Sequence, residues 1–93
     1  MKQQDVDDLL NNLLEPLAAV EHDRWAHWQR YMHSKGMAQP DGSLLLPADL
    51  IARWEKQIRT NYADLTEEER ESDREQVRKY LPLIAAALVN RQE

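Results

Sequence analysis

TEEERESDREQVRKYLPLIAAALV, residues 66–89, contains a helix start, a helix period and a helix break. Thr66 followed three residues later by Glu69 has the capping-box form, in which each side chain satisfies the other residue's backbone N–H. Glu67, Glu68 and Glu69 place negative charge where the helix dipole is positive. Beyond them Val77, Tyr80, Leu81, Ile84 and Leu88 recur at helical spacing. Pro82 lacks a backbone donor, so the helix is expected to kink or split near Lys79. Asp73 projects onto the face of Val77, Tyr80 and Ile84, which predicts a carboxylate aimed inward at a partner.

Upstream of this stretch, Pro47 is expected to open a helix running to about Ile58, with Leu50, Ile51, Trp54 and Ile58 on one face. Thr60 to Leu65 reads as a loop. Gln39-Pro40-Asp41-Gly42-Ser43 is a turn signal, and Ser43 to Leu46 is expected to be extended, as a short edge segment. A longer helix is expected from about Leu17 to Lys35, with Gly36 as its stop. Leu17, Ala18, Val20, Trp25, Trp28, Tyr31 and Met32 fall on one broad arc of it. Glu21 and Arg24 lie inside that apolar arc, which predicts that they pair or meet a ligand. Leu9, Leu10, Leu13 and Leu14 mark a first short helix or docking arm from Asp5 to Leu14, and Pro16 fits the first turn of the helix after it. The expected fold is all-α: a small orthogonal or bundle-like arrangement of about four helices with one short irregular or extended connection. The expected organisation is one domain over residues 1–93, with a helical arm at 1–15 and a core at 16–93.

The chain has 93 residues and no cysteine, so thiolate nucleophiles, disulfides and cysteine-based zinc sites are excluded. A core or an oligomer interface must hold so short a chain together. No signal-peptide pattern follows Met1, and the longest apolar run, Leu81 to Val89, is shorter than the ~20 residues a bilayer span needs. A cytoplasmic protein without a membrane partner is the expectation. The net charge is -5, and the window from Asn61 to Glu75, with seven acids and two arginines, accounts for all of it. With no basic stripe to neutralise phosphates, general nucleic-acid binding is not expected. A small anionic ligand held by one or two arginines remains compatible with this balance.

His22, His27 and His33 are the three histidines. His22 and His33 share a helix face but stand about 16 Å apart at 1.5 Å per residue. No pair has the i,i+4 spacing of a helical zinc site, so no metal or other cofactor is expected. The sequence has no glycine-rich phosphate loop and no nucleophile elbow, and its serines have no motif context, so no enzymatic activity is expected. Trp25, Trp28, Tyr31 and Met32 either form core or offer a stacking platform; Trp25, towards His22 and Gln29, is the one placed to be half-exposed.

Glu21-His22-Asp23-Arg24-Trp25 resembles the His-x-x-Trp opening of the RyR domain, the repeat named after ryanodine receptors and also found alone in bacterial and phage proteins. Tyr62-Ala63-Asp64-Leu65-Thr66-Glu67-Glu68-Glu69-Arg70-Glu71-Ser72-Asp73-Arg74 resembles that family's second block, in which a Tyr precedes a Leu-Ser/Thr-x-x-Glu turn and an Asp-Arg pair. The second block is the more specific. Thr60-Asn61-Tyr62 replaces the Val-Pro-Tyr usual in animal repeats, Ser72-Asp73-Arg74 replaces Tyr-Asp-Arg, and Met37 to Arg59 does not match their connecting loop. The chain is closer to the stand-alone bacterial and phage type.

The resemblance implies a non-enzymatic module that recognises a nucleotide-derived or other small anionic ligand. It carries over His22, Trp25, Tyr62, Asp73 and Arg74 as ligand-binding positions. Trp25 or Tyr62 could stack on a base, Arg74 could meet a phosphate, His22 could hydrogen-bond, and Asp73 could orient Arg74. The same five could instead tie the long helix to the loop before the last one. The competing expectation is a protein-interaction or assembly module, including a homo-oligomer, that uses the leucine-rich N-terminal segment and the acidic 61–75 surface.

Overall fold

A computed structural model describes residues 1–92. It is 76% helical, and the all-α expectation holds. Helix α1 spans Gln3–Ser34, α2 Ala48–Ile58, α3 Glu67–Arg78 and α4 Leu81–Gln92. Between α1 and α2, strands β1 (Met37–Ala38) and β2 (Leu44–Leu45) pair antiparallel, Met37 opposite Leu45 and Ala38 opposite Leu44. A single 3-10 turn, Tyr62–Asp64, precedes α3. By continuity there are three helical runs, the last broken at Lys79 and Tyr80.

The chain divides into two compact units, Met1–Trp25 together with the chain from Asp73 onward, and Ala26–Ser72. In the first unit, the N-terminal part of α1 runs antiparallel to α4. Tyr80 bonds to Glu21 at one end, and Leu13 lies with Ala87 and Asn12 with Asn90 along the same groove. Val6, Leu9, Leu13, Leu17 and Val20 form one stripe of α1 at spacings of three and four. Leu13 is buried at 6% exposure and the other four are half-buried.

That stripe explains a departure from the sequence reading. Pro16 does not open a second helix; it lies inside α1. A proline there forfeits the bond to the carbonyl four residues back. Ending the helix at Pro16 would instead break the face formed by Leu9, Leu13, Leu17 and Val20. Good helix formers flank the proline on both sides (Leu13, Leu14 and Glu15 before it, Leu17, Ala18 and Ala19 after it). Residues 3–15 therefore belong to α1 and contribute the buried Leu13.

The second unit is centred on aromatic contacts. Trp28 stacks on Tyr31 with ring centroids 5.6 Å apart, and meets Trp54 of α2 edge-on at 5.4 Å and 71°. Leu50 and Trp54 of α2 are half-buried, whereas Ile51 and Ile58 are exposed, so the face expected of α2 is only partly covered. Gly36 ends α1, but not through a left-handed cap: Gly42 is the positive-φ residue, at 90°. A Cβ on Gly36 would stand 2.9 Å from the Leu44 Cβ, so close approach to β2 accounts for the glycine. Gly42 turns the hairpin. Its N–H donates to the Gln39 carbonyl at 3.0 Å, and Ser43 N–H donates to the Asp41 carboxylate at 3.0 Å.

Thr66 and Glu69 form the expected reciprocal box: Glu69 N–H donates to Thr66 Oγ1 at 3.2 Å and Thr66 N–H to Glu69 Oε1 at 2.9 Å. Arg70 adds a clamp the sequence did not reveal. Its Nη1 donates to the Ala63 and Leu65 carbonyls, both at 3.0 Å, and its Nη2 to Glu67 at 2.8 Å. The 3-10 turn is thereby held against the start of α3. Much of the 62–70 stretch is thus occupied with its own turn.

Candidate functional site

Glu21 and Arg24, charged residues inside the apolar arc of α1, pair with each other through a two-pronged contact between guanidinium and carboxylate. Spacing of i,i+3 brings them onto one helix face. Tyr80, in the break between α3 and α4, donates its hydroxyl to Glu21 Oε2 at 2.5 Å. The Arg24 hydrogen bond, and then that of Tyr80, hold the Glu21 carboxyl below its ordinary value. The same bond to Glu21 raises the Tyr80 phenol, which must stay protonated to donate. Both Glu21 and Arg24 side chains are about half exposed, so solvent and salt screen the pair. Sequence reading singled out Glu21 and Arg24 but placed Tyr80 among the apolar residues. The triad ties α1 to the start of α4.

Of the five ligand positions, His22, Trp25, Asp73 and Arg74 fall in the first unit and Tyr62 in the second. His22 and Trp25 stack at 5.9 Å and 23°, with Trp25 56% exposed. Trp25 is therefore an open aromatic surface, as expected of it alone among the aromatics; Trp28 and Tyr31 are instead engaged with Trp54 and each other. Tyr62 opens the 3-10 turn and is half exposed. Asp73 is exposed and Arg74 half-buried. The inward carboxylate expected at Asp73 is not found, and Val77, assigned to the same face, is also exposed. Arg70 and Arg74, four residues apart, are half-buried in α3 where Asp73 and Val77 are not.

A groove of about 300 Å³ in the first unit is lined by Asp8, Leu9, Asn12, Leu13, Ala87 and Asn90. Asp8 is its one charged lining residue, so its field repels an anion. His22 and Trp25 do not line it. Among the described residues no group of three or more His, Asp or Glu side chains is placed to share a metal ion, and no helix is long and apolar enough to cross a membrane.

The larger feature is apolar surface. Among the described residues Leu13 is the buried hydrophobic side chain, while sixteen large apolar residues are exposed, Leu10, Leu14, Leu81, Leu88 and Val89 among them. Isolated exposed apolar residues are ordinary, whereas contiguous ones on helix faces mark interaction sites. No protein-family model matches the chain, and no curated protein or solved structure matches it either.

Proposed function

We propose that the protein is a non-enzymatic protein-interaction module whose helices complete their hydrophobic core against another polypeptide. The observation that supports this reading is that, among the described residues, Leu13 is the single buried side chain while sixteen large apolar residues are exposed. The two units hold about 46 residues each and have no disulfide, a size at which a core is marginal by itself. A cytoplasmic location is part of the proposal. The test is the state of the chain at high dilution. Binding of an apolar dye and a broad, weakly cooperative thermal transition are expected; a dye-silent monomer with a sharp transition would overturn the reading.

A second reading, a RyR-like module for a nucleotide-derived anion, draws on the exposed Trp25 face stacked on His22. Titration with nucleotides and cyclic dinucleotides should quench tryptophan fluorescence, and Trp25→Leu should abolish the quenching. Quenching that survives Trp25→Leu, or none with any compound, removes this reading.

A further inference from the structure

Helix α4 carries no charged residue between Leu81 and Asn90, and it is apolar all round. At 100° per residue, Leu83, Ile84 and Ala87 share one side with Tyr80, and all four are half-buried. Leu81, Ala85, Leu88 and Val89 fall within a second arc about 100° wide. That arc is exposed: Leu81 at 52%, Leu88 at 41%, Val89 at 55%, with Ala85 open between them. Helices that are hydrophobic all round are buried helices. Among the described residues of its own unit, one face of α4 is covered and the other is open.

We propose that a second copy of this chain covers it, with two α4 helices packing antiparallel about a two-fold axis at Ala85. This rests on the interaction reading and names its partner. Two observations select a copy over another protein. The stripe is nearly palindromic: Leu81 lies four residues before Ala85 and Val89 four residues after it. An antiparallel pair then sets Ala85 against Ala85, where small side chains allow close approach, and Leu81 against Leu88 and Val89 of the other copy. An isologous contact requires this self-complementarity.

Charge is the second observation. Two chains of net charge -5 repel wherever their acids meet, and the seven acids of residues 61–75 lie outside the stripe. An uncharged face is where identical acidic chains can touch without that cost.

The test uses the full chain, light scattering across a concentration series, and two kinds of variant. The wild type is expected to double its mass with rising concentration. Ala85→Glu sets two carboxylates on the axis and should weaken the dimer at least about 100-fold. Val77→Glu, on α3, should leave it intact. Because the chain has no cysteine, Ala85→Cys should oxidise rapidly to a covalent dimer, while Ala86→Cys, 100° around the helix, should not. That readout decides the matter if Ala85→Glu fails to fold. A dimer indifferent to Ala85→Glu, or equal cross-linking at 85 and 86, overturns the proposal. So does a wild type that stays monomeric. If that monomer still binds an apolar dye and melts broadly, the interaction reading stands with a different partner; if it is dye-silent and melts sharply, both fall.

Discussion

Tyr80 donates its phenolic hydrogen to the Glu21 carboxylate across 59 positions of sequence, at 2.5 Å, while Arg24 holds the same carboxylate from the helix below. The link joins α1 to the start of α4 with groups that ionise at opposite ends of the pH scale, so its contribution has a defined window. The Glu21 carboxyl is depressed from 4.5, so its stabilisation is present at neutral pH and is lost as pH falls through 4.5 and below. The Tyr80 phenol is raised from 10.0, so its share is present below pH 10 and is lost as pH rises beyond it. The melting temperature of Tyr80→Phe should fall a few degrees below wild type at neutral pH and converge with it at both extremes. Glu21→Gln should flatten the acid limb. Curves that coincide with wild type at every pH would show that the tie carries no stability, and curves displaced but parallel would show that it does not titrate.

Leu13 should be the most sensitive aliphatic position in the chain. At 6% exposure it is the buried hydrophobic side chain among the described residues, where truncation opens a cavity, and Leu→Ala in cores costs about 2–5 kcal/mol. The lower end is expected, because the neighbouring groove lets the site relax. Ile58→Ala, at 76% exposure, should change stability by less than about 0.5 kcal/mol. Urea denaturation of both variants measures the contrast. Equal losses would mean that Leu13 is not the centre of its unit.

The local signals were legible in the sequence, and the long-range ones were not. Thr66 and Glu69, Gly42, and the break before Pro82 each follow from chemistry within a few residues, and each was read correctly. Pro16 reads locally as a helix start, and the stripe through Leu13 and Val20 that keeps it inside α1 is not a local signal. Asp73 was misplaced because helical projection ranks positions on a wheel but does not say which side finds a neighbour. That Glu21 and Arg24 pair or meet a ligand is legible from their place inside an apolar arc, and the structure shows the pair. Tyr80 as their third member is not legible, because nothing local marks a contact 59 residues away. On the expected core face of α1, Trp28 and Tyr31 remain 42% and 39% exposed, since amphipathicity measures readiness to be covered rather than the presence of a cover.

The capping box should be worth about 1 kcal/mol, the usual cost of losing a Thr N-cap, and Thr66→Ala measures it. Its pH dependence is separate. The Thr66 backbone N–H, and then its hydroxyl, hold the Glu69 carboxyl below 4.5, so this stabilisation too is lost as pH falls through that range. Glu69→Gln keeps an acceptor for the Thr66 N–H and removes the titration. Its helicity at pH 3 should therefore match its helicity at pH 7 in the 66–78 region, followed by amide exchange. A wild type with the same pH-independent protection there would rule out a titrating box.

Pro16 makes the opposite kind of prediction, a gain. Its side chain is exposed, so replacing it removes no packing, while the missing N–H and the ring's clash with the carbonyl of Asn12 are both relieved. Proline in a helix interior is about 3 kcal/mol less favourable than alanine. Pro16→Ala should therefore stabilise the chain by up to about 3 kcal/mol, raise its helical circular dichroism, and slow amide exchange from Leu13 to Val20. The gain would be smaller if the unfolded chain of Pro16 is itself stiffened by the ring, an effect that opposes the first by about 0.4–1 kcal/mol. A loss of stability on substitution would mean that α1 is broken at Pro16 in solution. The arm of residues 1–15 would then be a separate helix, and the stripe through Leu9, Leu13, Leu17 and Val20 would not be continuous.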